Sequence, residues 1–130
     1  MGHILIVDDH ECVRTSVSRL LRSGRYSARA VADGDAGLQA MRAERPALVL
    51  LDVAMPGLGG VGMLGAAGAD PSLAGVPIVM LTADQNPATR AEAERLGARG
   101  FLQKGQDWPA SLWRVVEQFL DPPESVARSA

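Results

Sequence analysis

Asp8 and Asp9 follow the apolar run HILIV (3–7), and Asp52 closes the run ALVLL (47–51). Thr82 follows PIVML (77–81), and Lys104 follows GFLQ (100–103). Three carboxylates, a hydroxyl and an amine, each set where an apolar segment ends, are the residue types that hold a hard cation and handle a phosphoryl group. A buried strand has little use for an acid. An acid where the chain leaves the core can reach a ligand. Taken singly, each residue has a plainer explanation: adjacent acids form a solvated loop or a helix cap, a threonine ends a turn, a lysine sits at the surface. The chemical reading requires that they share one rim, which depends on the elements carrying them.

Those elements alternate. Short apolar runs at 3–7, 26–31, 47–51, 77–81 and 100–103 are separated by longer segments with helical periodicity. Val13, Val17, Leu20 and Leu21 repeat on one helical face, with Gly24 placed to end it. A second helix follows Asp33-Gly34 and stops before Pro46. The third, from about Gly60, holds so many glycines that a short or irregular helix is expected. Asn86 as cap and Pro87 at the first position open the fourth, which ends near Gly97. Leu112, Val115, Val116 and Phe119 mark the fifth, with Asp107 as a candidate cap.

Five strands alternating with five helices predict a doubly wound α/β domain, a parallel sheet covered on both faces. The first, third and fourth runs, the most continuously apolar, are expected at its centre. In such a sheet ligands bind beyond the carboxyl ends of the strands, and that places Asp8, Asp9, Asp52, Thr82 and Lys104 together. Two carboxylates about 4 Å apart repel by roughly 4 kcal/mol at an effective dielectric near 20. Lys104 supplies one positive charge against three acids, so a hard divalent ion is expected among them. Mg²⁺, which takes one or two carboxylates and keeps several waters, fits. Asp52 would be the nucleophile toward phosphorus, with Thr82 and Lys104 on the phosphoryl oxygens.

The rest of the chain narrows the class. With 130 residues, 47% hydrophobic and 22% charged, it suits one globular domain, residues 1–121, and a flexible tail at 122–130. The net charge of −2 argues against direct nucleic-acid binding. No apolar stretch is long enough to cross a bilayer, and the N-terminus lacks a basic leader. Cys12 is the sole cysteine, which suits a reducing, cytoplasmic setting. The scarcity of aromatics, 4%, reads as compositional bias.

In order and spacing, ILIVDD (4–9), ADG..GL (32–38), LLDVAMPGLGG (50–60), PIVMLTA (77–83) and GFLQK (100–104) resemble the receiver domain of bacterial two-component response regulators. The resemblance covers roughly residues 3–120 and is nearest the stand-alone, chemotaxis-regulator-like type. It implies a flavodoxin-like (βα)5 fold with strand order 2-1-3-4-5. It also implies transfer of a phosphoryl group from a histidine kinase or histidine phosphotransfer protein onto Asp52. Asp8 and Asp9 then match the metal-binding acids, with the Ala54 backbone carbonyl completing a Mg²⁺ site. Thr82 matches the switch hydroxyl, Phe101 the switch aromatic, and Lys104 the lysine of the site. The implied output is a face of the fourth helix, fifth strand and fifth helix that binds a downstream protein or a second copy. The implied protein is no enzyme toward other substrates, catalysing only its own phosphorylation and dephosphorylation.

One departure is Gly105, where the family usually has proline after the lysine; a cis bond before a non-proline residue costs about 2.5–4 kcal/mol, so either a trans bond or a strained loop is expected. His10 and Cys12 are read as a solvated loop histidine and a half-buried cysteine rather than a metal pair, and His3 as structural. Met41, Met55, Met63 and Met80 are read as core or turn filler. Trp108 and Trp113, at the start of the fifth helix, either lie on the face formed by the fourth helix, fifth strand and fifth helix or pack in the core. A phosphorylation-independent receiver-like adaptor is the alternative function. A phosphatase of the haloacid-dehalogenase type would want an acid where Ala54 stands. A flavin or nucleotide binder would want a phosphate loop where DDHEC stands. A DNA-binding regulator would need an added domain.

Overall fold

The computed structural model describes residues 2–55, 57, 59–82, 86–104 and 108–120. Five strands, β1 (Ile4–Val7), β2 (Ala28–Val31), β3 (Leu48–Asp52), β4 (Ile78–Thr82) and β5 (Gly100–Gln103), form one parallel sheet in the order β2-β1-β3-β4-β5. The chain is therefore a doubly wound α/β domain of the flavodoxin-like (βα)5 type. Strands β1, β3 and β4 are central, as their apolar character requires, because both of their faces are covered.

The period-2 alternation of each strand divides the core between two faces. Leu5, Val7, Val49, Leu51, Ile78 and Met80 pack under α2 (Gly34–Ala43) and α3 (Gly59–Gly68), with Ala93 of α4 (Pro87–Arg95). Ile4, Ile6, Leu48, Leu50, Val79, Leu81 and Leu102 pack under α1 (Glu11–Ser23) and α5 (Trp108–Phe119). Helix starts follow local chemistry. Asp33 caps α2 by accepting from Ala36 N at 2.8 Å, and Asn86 caps α4 by accepting from Ala88 N at 2.9 Å, with Pro87 at the first position. Gly24 ends α1.

Helix α3 differs from expectation. Despite its glycines it runs ten residues without interruption. Each glycine costs roughly 1 kcal/mol relative to alanine, but Met63, Leu64 and Ala67 are buried against the sheet, and tertiary burial outweighs propensity. The glycines also allow close approach: a Cβ on Gly60 would run into the carbonyl oxygen of Asp52. That contact anchors the start of α3 against the end of β3.

Met41, Met63 and Met80 are core residues, and Met55 packs at the core margin. Trp108 and Trp113 take the packing alternative. Both lie partly buried against the α1/α5 side, with Trp113 tilted against Tyr26 at 6.1 Å between ring centroids. Cys12, expected half-buried, is exposed on the first turn of α1. Asp107, the Lys104–Gly105 bond and the 122–130 tail lie outside the described residues.

Candidate functional site at the carboxyl end of the sheet

Strand register brings the acids together. Val7 pairs with Leu51, so Asp8 and Asp52, each one residue further, end neighbouring strands on the same sheet face. Asp52 pairs with Leu81, so Thr82 stands one step beyond it on β4. Thr82 pairs with Gln103, and the Lys104 amide donates to the Thr82 carbonyl at 2.8 Å, which holds Lys104 at the rim. By alternation Thr82 and Phe101 share the α3/α4 face, whereas Asp8 and Asp52 take the α1/α5 face.

The side chains converge as the register demands. Lys104 Nζ donates to Asp8 Oδ2 at 2.8 Å and lies 3.3 Å from Asp52 Oδ1. Asp8 is fully buried and Asp52 is 4% exposed. Asp52 Oδ1 also accepts from the Ala54 amide at 3.4 Å. Arg14 donates to the Asp8 carbonyl at 2.8 Å, tying α1 to the loop. Two buried oxygens are left without a hydrogen bond among the described residues: Asp52 Oδ2 and Asp9 Oδ1.

Electrostatics follow from that crowding. Burial, and then the neighbouring Asp8 charge, push the Asp52 carboxyl above its usual range; Lys104 and the Ala54 amide offset part of this. Burial pulls Lys104 down, but the Asp8 hydrogen bond and the charges of Asp52 and Asp8 outweigh it. The ammonium is held above its usual range. One lysine cannot neutralise three acids. A hard cation with oxygen preference fits the three carboxylates, because it supplies what Asp52 Oδ2 lacks and offsets the charge that one lysine leaves over.

His10 is the residue that sequence reasoning set aside and the structure brings in. It occupies the cap position of α1 yet makes no side-chain cap. Instead its Nδ1 lies 3.2 Å from Asp8 Oδ1 and 3.1 Å from Asp9 Oδ1. Ligand atoms of Asp8, Asp9, His10 and Asp52 all fall within 4.8 Å of one another. The adjacency DDH was the available signal. It was discounted because partners were sought among soft ligands, not among the acids.

Beside the acids, Thr82, Asn86, Thr89, Arg90, Phe101 and Arg114 line a groove of about 350 Å³ between α4 and α5. The Arg90 guanidinium sits over the Phe101 ring, 4.5 Å from its centroid.

The model of the response regulator receiver domain family matches residues 4–114. The chain belongs to that family. This receiver domain is 36% identical to the DNA-binding response regulator MtrA of Mycobacterium tuberculosis, over 92% of this chain and 59% of MtrA. It is 30% identical to the transcriptional regulatory protein CseB of Streptomyces coelicolor, over 87% of this chain and 47% of CseB. It thus spans about half to three-fifths of the length of these curated relatives. Among solved structures, the Vibrio cholerae chemotaxis protein CheY4 superposes with a TM-score of 0.86 at 30% identity, covering 92% of this receiver and 99% of CheY4. The receiver of the Pseudomonas aeruginosa sensor histidine kinase PA1611, described with a magnesium ion coordinated in its active site cleft, gives 0.82 at 28%, covering 91% and 96%. No helix among the described residues of this receiver is long and apolar enough to cross a membrane.

Proposed function

We propose that this receiver accepts a phosphoryl group on Asp52 from a histidine kinase or histidine phosphotransfer protein in the cytoplasm. The observation that carries the reading is Asp52 Oδ2, a buried carboxylate oxygen with no hydrogen-bond partner among the described residues. A buried acid kept in this state costs stability, and reactivity is a reason to keep it. The oxygen attacks phosphorus, the phosphorus–nitrogen bond of the donor phosphohistidine breaks, and the leaving imidazole keeps that electron pair. Lys104 is placed to hold the new phosphoryl oxygens and Asp52 in register, and Thr82 to donate its hydroxyl to one of them.

Asp8, Asp9, Asp52 and the Ala54 carbonyl are the groups that would hold Mg²⁺. When bound, it neutralises the acids and polarises a phosphoryl oxygen. Phosphorylation trades the single carboxylate charge of Asp52 for roughly two on the phosphoryl group, a net gain of about one, and brings strong acceptor oxygens to the rim where Thr82 stands. Its hydroxyl moves toward the phosphoryl group, and Phe101, on the same sheet face, turns into the space beside β5. The outer surface of α4, β5 and α5 then presents a different shape to a downstream protein or a second copy. Helix α4 yields most easily, since it buries only Ala93.

The test is intact mass after incubation with Mg²⁺ and acetyl phosphate, for the wild type and Asp52→Asn. A gain of one phosphoryl mass in the wild type alone is expected. An unchanged wild-type mass with several donors and metal bound would leave the phosphorylation-independent adaptor as the function.

A further inference from the structure

We propose that His10 is an additional ligand of the acidic cleft, making it a mixed oxygen and nitrogen site suited to a borderline first-row cation. The inference rests on reading this cleft as a metal site. Its Nδ1 lies 3.1 Å from Asp9 Oδ1 and 3.2 Å from Asp8 Oδ1. Neighbouring ligands of an octahedral ion, each about 2.1 Å from it, stand about 3.0 Å apart. In the metal-free cleft the contact to Asp8 is a hydrogen bond, and a cation would take the place of its proton, with the imidazole nitrogen already about one octahedral edge away from two carboxylate oxygens. A second, independent observation points to a ligand at the same place. Asp52, one of the four residues of the constellation, is 4% exposed, and its Oδ2 has no hydrogen-bond partner among the described residues.

Backbone hydrogen bonds fix the main chain of His10 here, so that its side chain starts beside the acids. The His10 amide donates to Asp8 Oδ1 at 2.9 Å, folding the residue back over the acid. The Arg14 amide bonds to the His10 carbonyl at 3.1 Å, so the first turn of α1 holds it from the other side. The ring itself is 65% exposed, free of packing that would dictate its position. An imidazole adds little for Mg²⁺, which prefers oxygen and water. It adds much for Mn²⁺, Co²⁺ or Ni²⁺, in rising order.

The experiment compares Mg²⁺ and Co²⁺ binding by calorimetry in the wild type, His10→Ala and His10→Asp. The exposed ring makes both substitutions harmless to folding, which thermal melting verifies. His10→Ala is expected to weaken Co²⁺ at least tenfold and to change Mg²⁺ by no more than about twofold. His10→Asp, which offers oxygen again, should hold Mg²⁺ without restoring the Co²⁺ preference. Proton spectra of the Co²⁺ complex supply a readout independent of affinity: a strongly shifted exchangeable imidazole resonance, absent in His10→Ala. The chain has two histidines, and His3 lies at the other end of the sheet, so assignment is direct. Equal losses for both ions, a gain for both, or no shifted imidazole resonance would overturn the role of His10 while leaving the metal site standing. A wild type that binds neither ion would overturn both.

Discussion

The two ends of the sheet carry charge in opposite ways. At the amino end, His3 is 6% exposed, with Nδ1 3.6 Å from Glu44, and Glu44 in turn pairs with Arg29 at 2.7 Å. Nearby, Arg42 pairs with Asp70 at 2.9 Å and Arg45 donates to the Ser72 carbonyl at 3.0 Å. Acids there are met by arginines at the protein surface. At the carboxyl end, Asp8 and Asp52 are buried beside Asp9 with one lysine between them. The difference teaches where the fold spends stability. One end fastens loops with pairs that cost little; the other keeps like charges close, at a cost that only a ligand offsets.

That contrast can be broken most decisively at the acids. Asp9→Ala should reduce Mg²⁺ affinity at least tenfold and suppress phosphoryl gain with it, because the remaining carboxylates compete poorly with the hydration shell of the ion. Calorimetry with mass measurement checks both. Undiminished Mg²⁺ affinity would place the metal elsewhere.

Next in size is the response that travels away from the acids. With beryllium fluoride as phosphoryl analogue, amide signals of Thr82, Asn86–Gly97 and Phe101 should shift more than those of α1. Thr82→Ala should still accept phosphate and lose most of that distant response. A mutant that responds as the wild type does would mean that the coupling bypasses Thr82.

A smaller effect runs through stability. Asp52→Asn removes a buried charge and should stabilise the metal-free protein by about 1 kcal/mol, a few degrees in Tm. The folded pKa of Asp52 is raised, so its penalty is full above that raised value and vanishes below the ordinary carboxylate pKa of 3.8. The gain should therefore be present at neutral pH and shrink in acid. Denaturant melts at two pH values decide it, and a destabilised variant at neutral pH would show the acids to be well accommodated.

The smallest effect belongs to the amino end. Burial lowers the His3 pKa below its ordinary 6.5, with Glu44 opposing and Arg29 assisting. The unfolded chain then binds the proton more readily, so the stability His3 contributes is present above 6.5 and declines as pH falls toward the lowered folded value. His3→Gln should flatten that slope in the weakly acid range. A slope unchanged by the substitution would assign it to other groups.

Much of this was legible in the residues. Continuous apolar runs marked the central strands, because a strand covered on both faces has no polar side to show. The capping residues Asp33 and Asn86 marked helix starts, because their side chains satisfy amides that the helix leaves open. The strand-ending positions of Asp8, Asp52, Thr82 and Lys104 identified the rim. Helix α3 was misjudged, since glycine content reports local cost and not the burial of Met63 and Leu64 that repays it.

The sequence by itself determined the alternation of strands and helices, and with it a parallel sheet whose carboxyl ends gather three acids, a hydroxyl and an amine. Hydrophobic period and turn chemistry are local, so they can be read along the chain. Only the tertiary structure decided which atoms meet. It placed Lys104 between Asp8 and Asp52, left Asp52 Oδ2 without a partner among the described residues, and swung His10 over the acids. It also packed Trp108 and Trp113 against the core on the α1/α5 side, the second of the two places the sequence left open to them. Contacts of that kind depend on strand register and on side-chain direction at the rim, which arise when distant segments pack and have no counterpart in spacing along the chain.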